Sequence, residues 1–220
     1  MSAPRIALVH AMQLAIDPVV DAFHQLWPQA RVTNMLEDSL APDLAAAGSI
    51  TPAITGRFVE LARYSERCGA DAVLYTCSAF GVAIDEAKRS VAIPVLKPNE
   101  AMLEEALHAG SHVALIATFE PTIPSLKAEL EQLAFDRGIS LQLRTCAVPG
   151  AVTALQQGRG AEHDSLIAAA AADIGKCDAL VLGQFSMARA ALGIPATPGR
   201  KVLTSPHSAV TRLKQMFGAA

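Results

Sequence analysis

Short apolar runs alternate with longer amphipathic stretches along the whole of this chain. Several runs are continuously apolar, as in Ala179–Leu182. Such runs are typical of parallel strands that are covered by helices on both faces. The pattern predicts the following strands: Ile6–Val9, Arg31–Leu36, Ala72–Thr76, Pro94–Leu96, Val113–Ala117, Leu141–Cys146, Ala179–Leu182 and Lys201–Leu203.

Helix-length stretches separate these strands. The clearest are Thr55–Cys68, Asn99–Ala109, Ile123–Arg137 and Glu162–Ile174. In the first of them, apolar residues recur along roughly one face, as expected of an amphipathic helix. Regular alternation of strand and helix predicts parallel sheets with right-handed crossovers, which is an α/β fold.

The chain also repeats itself at a constant offset. Asp71 begins a segment that matches one beginning at Asp178, and Ile6 matches Val113 at the same separation. A fixed offset that runs through strands and helices indicates two related α/β halves. We therefore predict two pseudo-symmetric Rossmann-like halves, each a mostly four-stranded parallel sheet flanked by helices. Pro98 and Pro206 follow equivalent strands and mark the boundaries.

Composition narrows the class of protein. Apolar residues make up 51% and charged residues 18% of the 220 residues, which is typical of a compact soluble chain. A net charge of −3 without a run of Lys or Arg argues against nucleic-acid and membrane partners. The first residues lack a basic leader and a long apolar core, so we expect a cytoplasmic protein.

The four cysteines have no spacing that is typical of metal ligands. We therefore expect no metal, and we expect each thiol to be reduced and buried. Cys77 differs from the others because it ends a strand and precedes a predicted helix. Unpaired N–H groups at a helix N-terminus lower the pKa of a thiol. The N–H groups of Ser78 and Ala79, with the hydroxyls of Thr76 and Ser78, can also hold a carboxylate. The alternative is that Cys77 is simply a small residue that closes a strand.

Thr76–Cys77–Ser78, at the end of a strand in the first of two tandem α/β halves, resembles a motif of the cofactor-independent aspartate/glutamate racemase superfamily. This superfamily also includes hydantoin racemases, maleate isomerases and arylmalonate decarboxylases. The resemblance implies a small carboxylate substrate, no organic cofactor, a pocket between the halves and a homodimer. It further implies that the C-terminal segment packs on the first half, which gives domains at residues 1–98 plus 207–220 and at 99–206.

This chain departs from the racemases at one position. In the racemases a Cys in each half faces the substrate α-carbon, and one removes the proton that the other returns. The offset between the halves pairs Cys77 with Gln184, because the chain reads Gly183–Gln184–Phe185 where the family has Gly-Cys-Thr. An amide cannot transfer a proton at a useful pKa, so symmetric two-thiol chemistry is not expected.

Further site residues lie in the loops that follow the predicted strands. His10 follows the first strand and can act as an acid, a base or a carboxylate partner, although an exposed loop histidine fits equally well. Thr118 and Thr122 belong to a loop that resembles the superfamily's carboxylate-binding Ala-Thr…Thr loop. The other interpretation is that Thr118 caps a helix that has Pro121 in its first turn, and both can hold together because capping and anion binding use the same helix end.

Three more polar residues complete the predicted substrate contacts. Gln184 and Ser186 are uncharged hydrogen-bonding residues that suit the orientation of a substrate or the stabilisation of an enolate-like oxygen, unless they form a polar loop without a role. His207 follows the last strand and would add a second histidine.

These residues predict an enzyme that acts at the α-carbon of a small carboxylate, an amino acid or a dicarboxylate, with Cys77 and His10 as catalytic residues. Three alternatives remain. One is a decarboxylase, which needs only one proton donor. Another is a cis–trans isomerase, in which Cys77 adds to a double bond as a nucleophile. The last is a protein that binds a carboxylate without catalysis.

Overall fold

The computed structural model describes residues 3–218 and divides the chain into two compact α/β units. The first unit comprises Met1–Pro98 and Ala209–Ala220, and the second comprises Asn99–Ser208. Residues 1–2 and 219–220, the ends of the predicted first domain, lie outside the described residues. The second unit ends at Ser208, whereas the sequence predicted its end at Pro206.

The first unit contains a four-stranded parallel sheet with the order β2-β1-β3-β4. Its strands are β1 (Arg5–His10), β2 (Arg31–Leu36), β3 (Ala72–Tyr75) and β4 (Val95–Leu96). Its helices are α1 (Ile16–Leu26), α2 (Leu40–Ala47), α3 (Pro52–Arg67) and α4 (Gly81–Ser90). A short 3-10 turn, Ser78–Phe80, separates β3 from α4.

The second unit repeats this topology with the order β6-β5-β7-β8. Its strands are β5 (His112–Ala117), β6 (Gln142–Ala147), β7 (Ala179–Leu182) and β8 (Lys201–Thr204). Its helices are α5 (Glu100–Ala109), α6 (Thr122–Asp136), α7 (Ala151–Gln156) and α8 (Gly160–Asp173). A 3-10 segment, Phe185–Gly193, follows β7, and the last helix, α9 (Ser205–Met216), begins in this unit and continues into the first.

Burial explains the apolar runs in the sequence. All four residues of β3 and all four of β7 are buried, as are most residues of β1 and β5. The edge strands β2 and β6 have no buried residue, which is why polar side chains are frequent in both. Central parallel strands covered on both faces therefore account for the continuous pattern. The predicted α/β fold with two four-stranded parallel sheets is confirmed.

The register of the sheets follows the offset seen in the sequence. Ile6 pairs with Ala72 in the first unit, and its equivalent Val113 pairs with Ala179 in the second. The two residues of the first pair are therefore separated from those of the second pair by the same number of positions. The edge strands β2 and β6 depart from this rule, whereas the other two edge strands, β4 and β8, follow it. The pairs of β2 and β6 are Arg5 with Arg31 and His112 with Gln142, so the second unit has four more residues between its first two strands.

The aspartates that reveal the repeat have the same structural role in each unit. Asp71 accepts a hydrogen bond from the N–H of Arg5 at 2.7 Å, and Asp178 accepts one from the N–H of His112 at 2.9 Å. In return, Asp71 N–H donates to the Arg5 carbonyl at 2.7 Å and Asp178 N–H to the His112 carbonyl at 2.8 Å. Each aspartate thus ties the start of the third strand to the start of the first.

The end of α9 packs in the first unit. The ring of Phe217, just after this helix, lies 5.9 Å from the buried Trp27 ring, which stacks on Phe23 at 6.1 Å. Large aromatic rings of this kind contribute much of the apolar area that a small core buries.

The cysteines are less buried than expected. Cys68 is exposed, while Cys77, Cys146 and Cys177 are partly exposed, and all four are free thiols. The expectation that each is a buried core residue is therefore wrong. Within residues 3–218, no helix is long and apolar enough to cross a membrane. The same residues contain no group of three or more His, Cys, Asp or Glu side chains placed to hold a metal ion.

Candidate functional site

Cys77 lies between β3 and the 3-10 turn that begins at Ser78, with an extended backbone conformation. Its sulfur accepts a hydrogen bond from the N–H of Ala79, and this contact lowers the thiol pKa. Burial is the larger effect, because the side chain packs against the core of the first unit, and the pKa of Cys77 is raised. The expectation of a lowered pKa is therefore wrong. The regular helix α4 begins only at Gly81, so its N-terminus is not at the sulfur.

His10 is fully buried at the end of β1, between two polar partners. Its Nδ1 lies 2.9 Å from Oγ1 of Thr76, and its Nε2 lies 3.0 Å from Oδ1 of Asn34. The exposed loop histidine considered from the sequence is excluded by this burial. His10 has no accessible surface, and its ring contacts Thr76, the residue before Cys77.

The hydrogen bonds of His10 fit a neutral ring. Burial lowers its pKa, while the bond to Asn34 acts in the opposite direction to a smaller extent. In the tautomer that carries its proton on Nε2, the ring donates to the Asn34 oxygen and accepts from the Thr76 hydroxyl at Nδ1. Both contacts are then satisfied without a buried charge.

The other predicted residues around Cys77 differ in accessibility. Thr76 is 4% exposed, and its hydroxyl contacts the ring of His10. Ser78 is partly exposed and Ala79 is exposed, both in the 3-10 turn. Cys77, Ser78 and the backbone of this turn therefore form the accessible part of the site in the first unit.

In the second unit, the carboxamide oxygen of Gln184 accepts three hydrogen bonds. Thr118 donates from its N–H at 2.6 Å and from its hydroxyl at 2.8 Å, and Phe119 donates from its N–H at 3.3 Å. The residue at the N-cap of α6 is Pro121, and no side chain caps this helix. The alternative in which Thr118 caps a helix with Pro121 in its first turn is therefore wrong.

The remaining predicted contacts lie elsewhere in the second unit. Thr122 is the first residue of α6 and is partly exposed, and Ser186 is partly exposed in the 3-10 segment after β7. His207 lies in α9, where its Nδ1 is 2.8 Å from Oγ1 of Thr204, and burial lowers its pKa.

A close approach at Gly183 explains why the two units differ at this point. Gly183 stands where the first unit has Thr76, at the offset that relates the two halves. A Cβ atom at Gly183 would lie 2.7 Å from Cδ1 of Leu126 and 3.3 Å from the carbonyl oxygen of Ile116. The second unit therefore has no room for the threonine that binds His10 in the first.

Two surface grooves are lined by other residues. One of about 650 Å³ lies in the first unit and includes Arg57 and Tyr64, and another of about 390 Å³ lies in the second and includes Cys146 and Asp173. Neither is lined by a predicted site residue. The candidate site is therefore defined by the thiol and polar residues at the ends of the strands, and not by the size of a groove.

A family profile described as Asp/Glu/hydantoin racemase matches residues 17–213. The chain belongs to this racemase family. The family expected from Thr76–Cys77–Ser78 is thereby confirmed, whereas the sequence search among curated proteins finds no match.

Solved structures of three racemases are similar in fold to this family member. The aspartate racemase from Picrophilus torridus has a TM-score of 0.73 at 14% identity, with 98% of this chain and 95% of that chain covered. The allantoin racemase from Klebsiella pneumoniae has a TM-score of 0.72 at 17% identity, with 98% and 88% covered. The glutamate racemase from Campylobacter jejuni subsp. jejuni has a TM-score of 0.67 at 17% identity, with 96% and 85% covered.

Two contributors to the candidate site were not predicted from the sequence. Asn34 holds the outer nitrogen of His10, and the backbone N–H of Phe119 contacts Gln184. Asn34 is a polar residue near the end of β2, the strand that neighbours β1, and this placement is its signal in the sequence. A backbone N–H is carried by every residue except proline, so the sequence holds no signal for Phe119.

Proposed function

We propose that this racemase-family protein is a cofactor-independent enzyme that acts at the α-carbon of a small carboxylate, with Cys77 as its thiol. The observation that supports this proposal is the position of Cys77, a partly exposed residue at the end of a buried strand, beside Ser78 and the N–H groups of the turn. A homodimer, expected from the resemblance, belongs to the same proposal.

The proposed step is a proton transfer at one face of the substrate. The Cys77 thiolate accepts the α-proton, and the electron pair of the broken C–H bond is delocalised into the carboxylate. Return of a proton from the thiol restores the C–H bond. Donors from Ser78 and the turn backbone stabilise the charge that develops on the carboxylate oxygens. Gln184 has no titratable proton, so the second unit supplies no matching acid.

His10 has a different role in this proposal from the one that the sequence suggested. Its ring is buried and neutral, and it holds the Thr76 hydroxyl at 2.9 Å. Since Thr76 directly precedes Cys77, His10 fixes the backbone that carries the thiol. We therefore treat His10 as a positioning residue and Cys77 as the catalytic residue.

The raised pKa of Cys77 favours decarboxylation as a second candidate. A malonate-type substrate loses CO₂ when a C–C bond breaks, and the electron pair stays on the α-carbon. The Cys77 thiol then donates its proton to that carbon. This reaction needs the protonated thiol, which a raised pKa maintains at neutral pH.

One experiment tests both reactions. Wild-type protein, Cys77→Ala and Cys146→Ala are each incubated in D₂O with aspartate, glutamate, arylmalonates and alkylmalonates. Deuteration at the α-carbon is followed by NMR, and CO₂ release is measured in parallel. We expect exchange or decarboxylation by the wild type and a loss of roughly 10²–10⁴-fold in Cys77→Ala. Cys146→Ala, a partly exposed thiol in the other unit, is the matched control and should retain activity.

The outcomes separate enzyme from binding protein. Saturable binding of an acid without exchange or CO₂ release would show that the protein binds carboxylates without catalysis. Equal activity in Cys77→Ala and wild type would exclude this thiol as the proton carrier. Deuteration without inversion would identify proton transfer at one face only.

A further inference from the structure

The second unit contains three hydrogen-bond donors that converge on one oxygen atom. They are the N–H and hydroxyl of Thr118 and the N–H of Phe119, and the atom is Oε1 of Gln184. Because all three groups donate, only the oxygen of the carboxamide fits, and its NH₂ group would face donors. We call the three groups the Thr118–Phe119 cradle.

Such a cradle suits a carboxylate better than an amide. Hydrogen bonds to a charged oxygen are roughly twice as strong as those between neutral groups. Thr118 is 5% exposed, so its donors would be left without partners if the oxygen were removed. The cradle precedes α6, which begins at Thr122, so its donors belong to the loop after β5 and not to the first turn of the helix.

We propose that Gln184 is a built-in occupant that keeps the Thr118–Phe119 cradle closed to carboxylates. The side chain comes from the end of β7 and crosses to the loop after β5, a sequence separation of 66 from Thr118. Its oxygen stands where the oxygen of an acid would bind. The second unit then binds no acid through this cradle, and Gln184 determines which unit takes the ligand.

Tethering explains how a neutral oxygen can exclude a charged one. A group attached to the same fold competes at an effective concentration in the millimolar range or above. A free acid must displace it and also break three hydrogen bonds before it gains any. A dilute carboxylate therefore does not open the cradle.

Acetate binding followed by NMR tests this proposal on the full chain. The ¹⁵N-labelled wild type, Gln184→Ala, Gln184→Glu and Gln132→Ala are titrated with sodium acetate against sodium chloride at equal ionic strength. We expect the Thr118 and Phe119 amide signals of Gln184→Ala to shift and saturate. The same two amide signals should not move in the wild type or in the control Gln132→Ala. Gln132 is an exposed glutamine of α6 in the same unit. Gln184→Glu should also remain closed, because its own carboxylate occupies the cradle.

Two results of the titration would overturn the proposal. One is a saturable acetate shift at Thr118 and Phe119 in the wild type, since the cradle would then be open. The other is a folded Gln184→Ala protein whose amides do not respond, since the cradle would then have no affinity for a carboxylate. If Gln184→Ala does not fold, a second NMR measurement on the wild type and Gln184→Glu tests the proposal. It is the scalar coupling across the hydrogen bond, between the Thr118 nitrogen and the side-chain carbonyl carbon of residue 184. Absence of that coupling in both proteins would refute the occupancy.

Occupancy of the cradle is independent of the proposed reaction. It concerns equilibrium binding in the second unit, so the same titrations in a Cys77→Ala background should give the same shifts. An inactive protein whose cradle opens in Gln184→Ala would refute the proposed function alone. An active protein whose wild-type cradle binds acetate would refute the occupancy alone.

Discussion

The Nδ1 atom of His10 lies 2.9 Å from Oγ1 of Thr76, which joins the ends of β1 and β3 across a sequence separation of 66. The second unit joins the ends of its equivalent strands over the same separation, from Thr118 to Gln184. At the offset that relates the two halves, Thr118 lies one position after the equivalent of His10, and Gln184 lies one position after the equivalent of Thr76. Because of this shift by one residue, the Cys77 side chain takes no part in the hydrogen bond that joins the strand ends in the first unit. In the second unit the side chain of the equivalent residue, Gln184, accepts that hydrogen bond.

Reactivity of Cys77 should depend on pH in the way that a raised pKa dictates. The thiolate is the form that reacts with iodoacetamide, so burial should move the midpoint of the reaction to higher pH than that of an unstructured cysteine peptide. Alkylation rates at each pH, measured by mass spectrometry of the Cys77 peptide, would show this midpoint. Cys77→Ala identifies the signal, and a midpoint at or below that of the peptide would contradict the expectation.

Replacement of His10 should change how stability depends on pH. The pKa of His10 is lowered from its ordinary value of 6.5, so the unfolded chain binds the proton more readily than the folded protein. This contribution to stability is complete above pH 6.5 and is lost as the pH falls from there towards the folded pKa. His10→Gln should remove this part of the pH dependence. It should also lower the free energy of unfolding by about 1–2 kcal/mol near neutral pH through weakened hydrogen bonds.

Urea denaturation at several pH values measures both effects of the His10 change. His207 also has a pKa lowered by burial, so some pH dependence should remain in His10→Gln. His207→Gln is the control and should retain the part that His10 contributes. A His10→Gln protein with an unchanged pH profile would indicate that the ring is protonated equally well in both states.

Gly183→Ala should destabilise the second unit. The added methyl group would lie 2.7 Å from Cδ1 of Leu126, which is fully buried and has little freedom to move. Overpacking of this kind costs about 1–3 kcal/mol. Gly193→Ala is the matched control, because a Cβ at Gly193 has no neighbour within 4 Å among the residues of the structure. Equal thermal unfolding of the two variants would show that Leu126 adapts freely.

Much of the fold is readable from the sequence because the central strands are continuous apolar runs, and the stretches between them are long enough to form helices. The predicted bounds of Arg31–Leu36 and Ala179–Leu182 coincide with β2 and β7. Equivalent residues in the two halves reveal the repeat because paired central strands leave little freedom to vary. Thr76–Cys77–Ser78 indicates the family because the motif joins a specific chemistry to a specific place in that fold.

The pKa of Cys77, the start of the helix after it and the contacts of Gln184 could not be predicted from the sequence. The pKa of Cys77 is a balance between burial and one N–H donor, and burial depends on residues far away in sequence. A 3-10 turn replaces the expected start of a helix at Ser78, which moves the helix N-terminus away from the sulfur. The occupancy of Gln184 depends on which loop its side chain reaches, and no local pattern encodes that.

The paired contacts of Asp71 with Arg5 and of Asp178 with His112 also bear on the history of the chain. A hydrogen bond that two copies share at the same offset is most simply inherited from the single ancestral segment that was duplicated. What differs between the copies, Cys77 against Gln184 and Thr76 against Gly183, arose after that event. The contacts of the aspartates thus belong to the scaffold that the two halves share, whereas Cys77 and Gln184 belong to what distinguishes them.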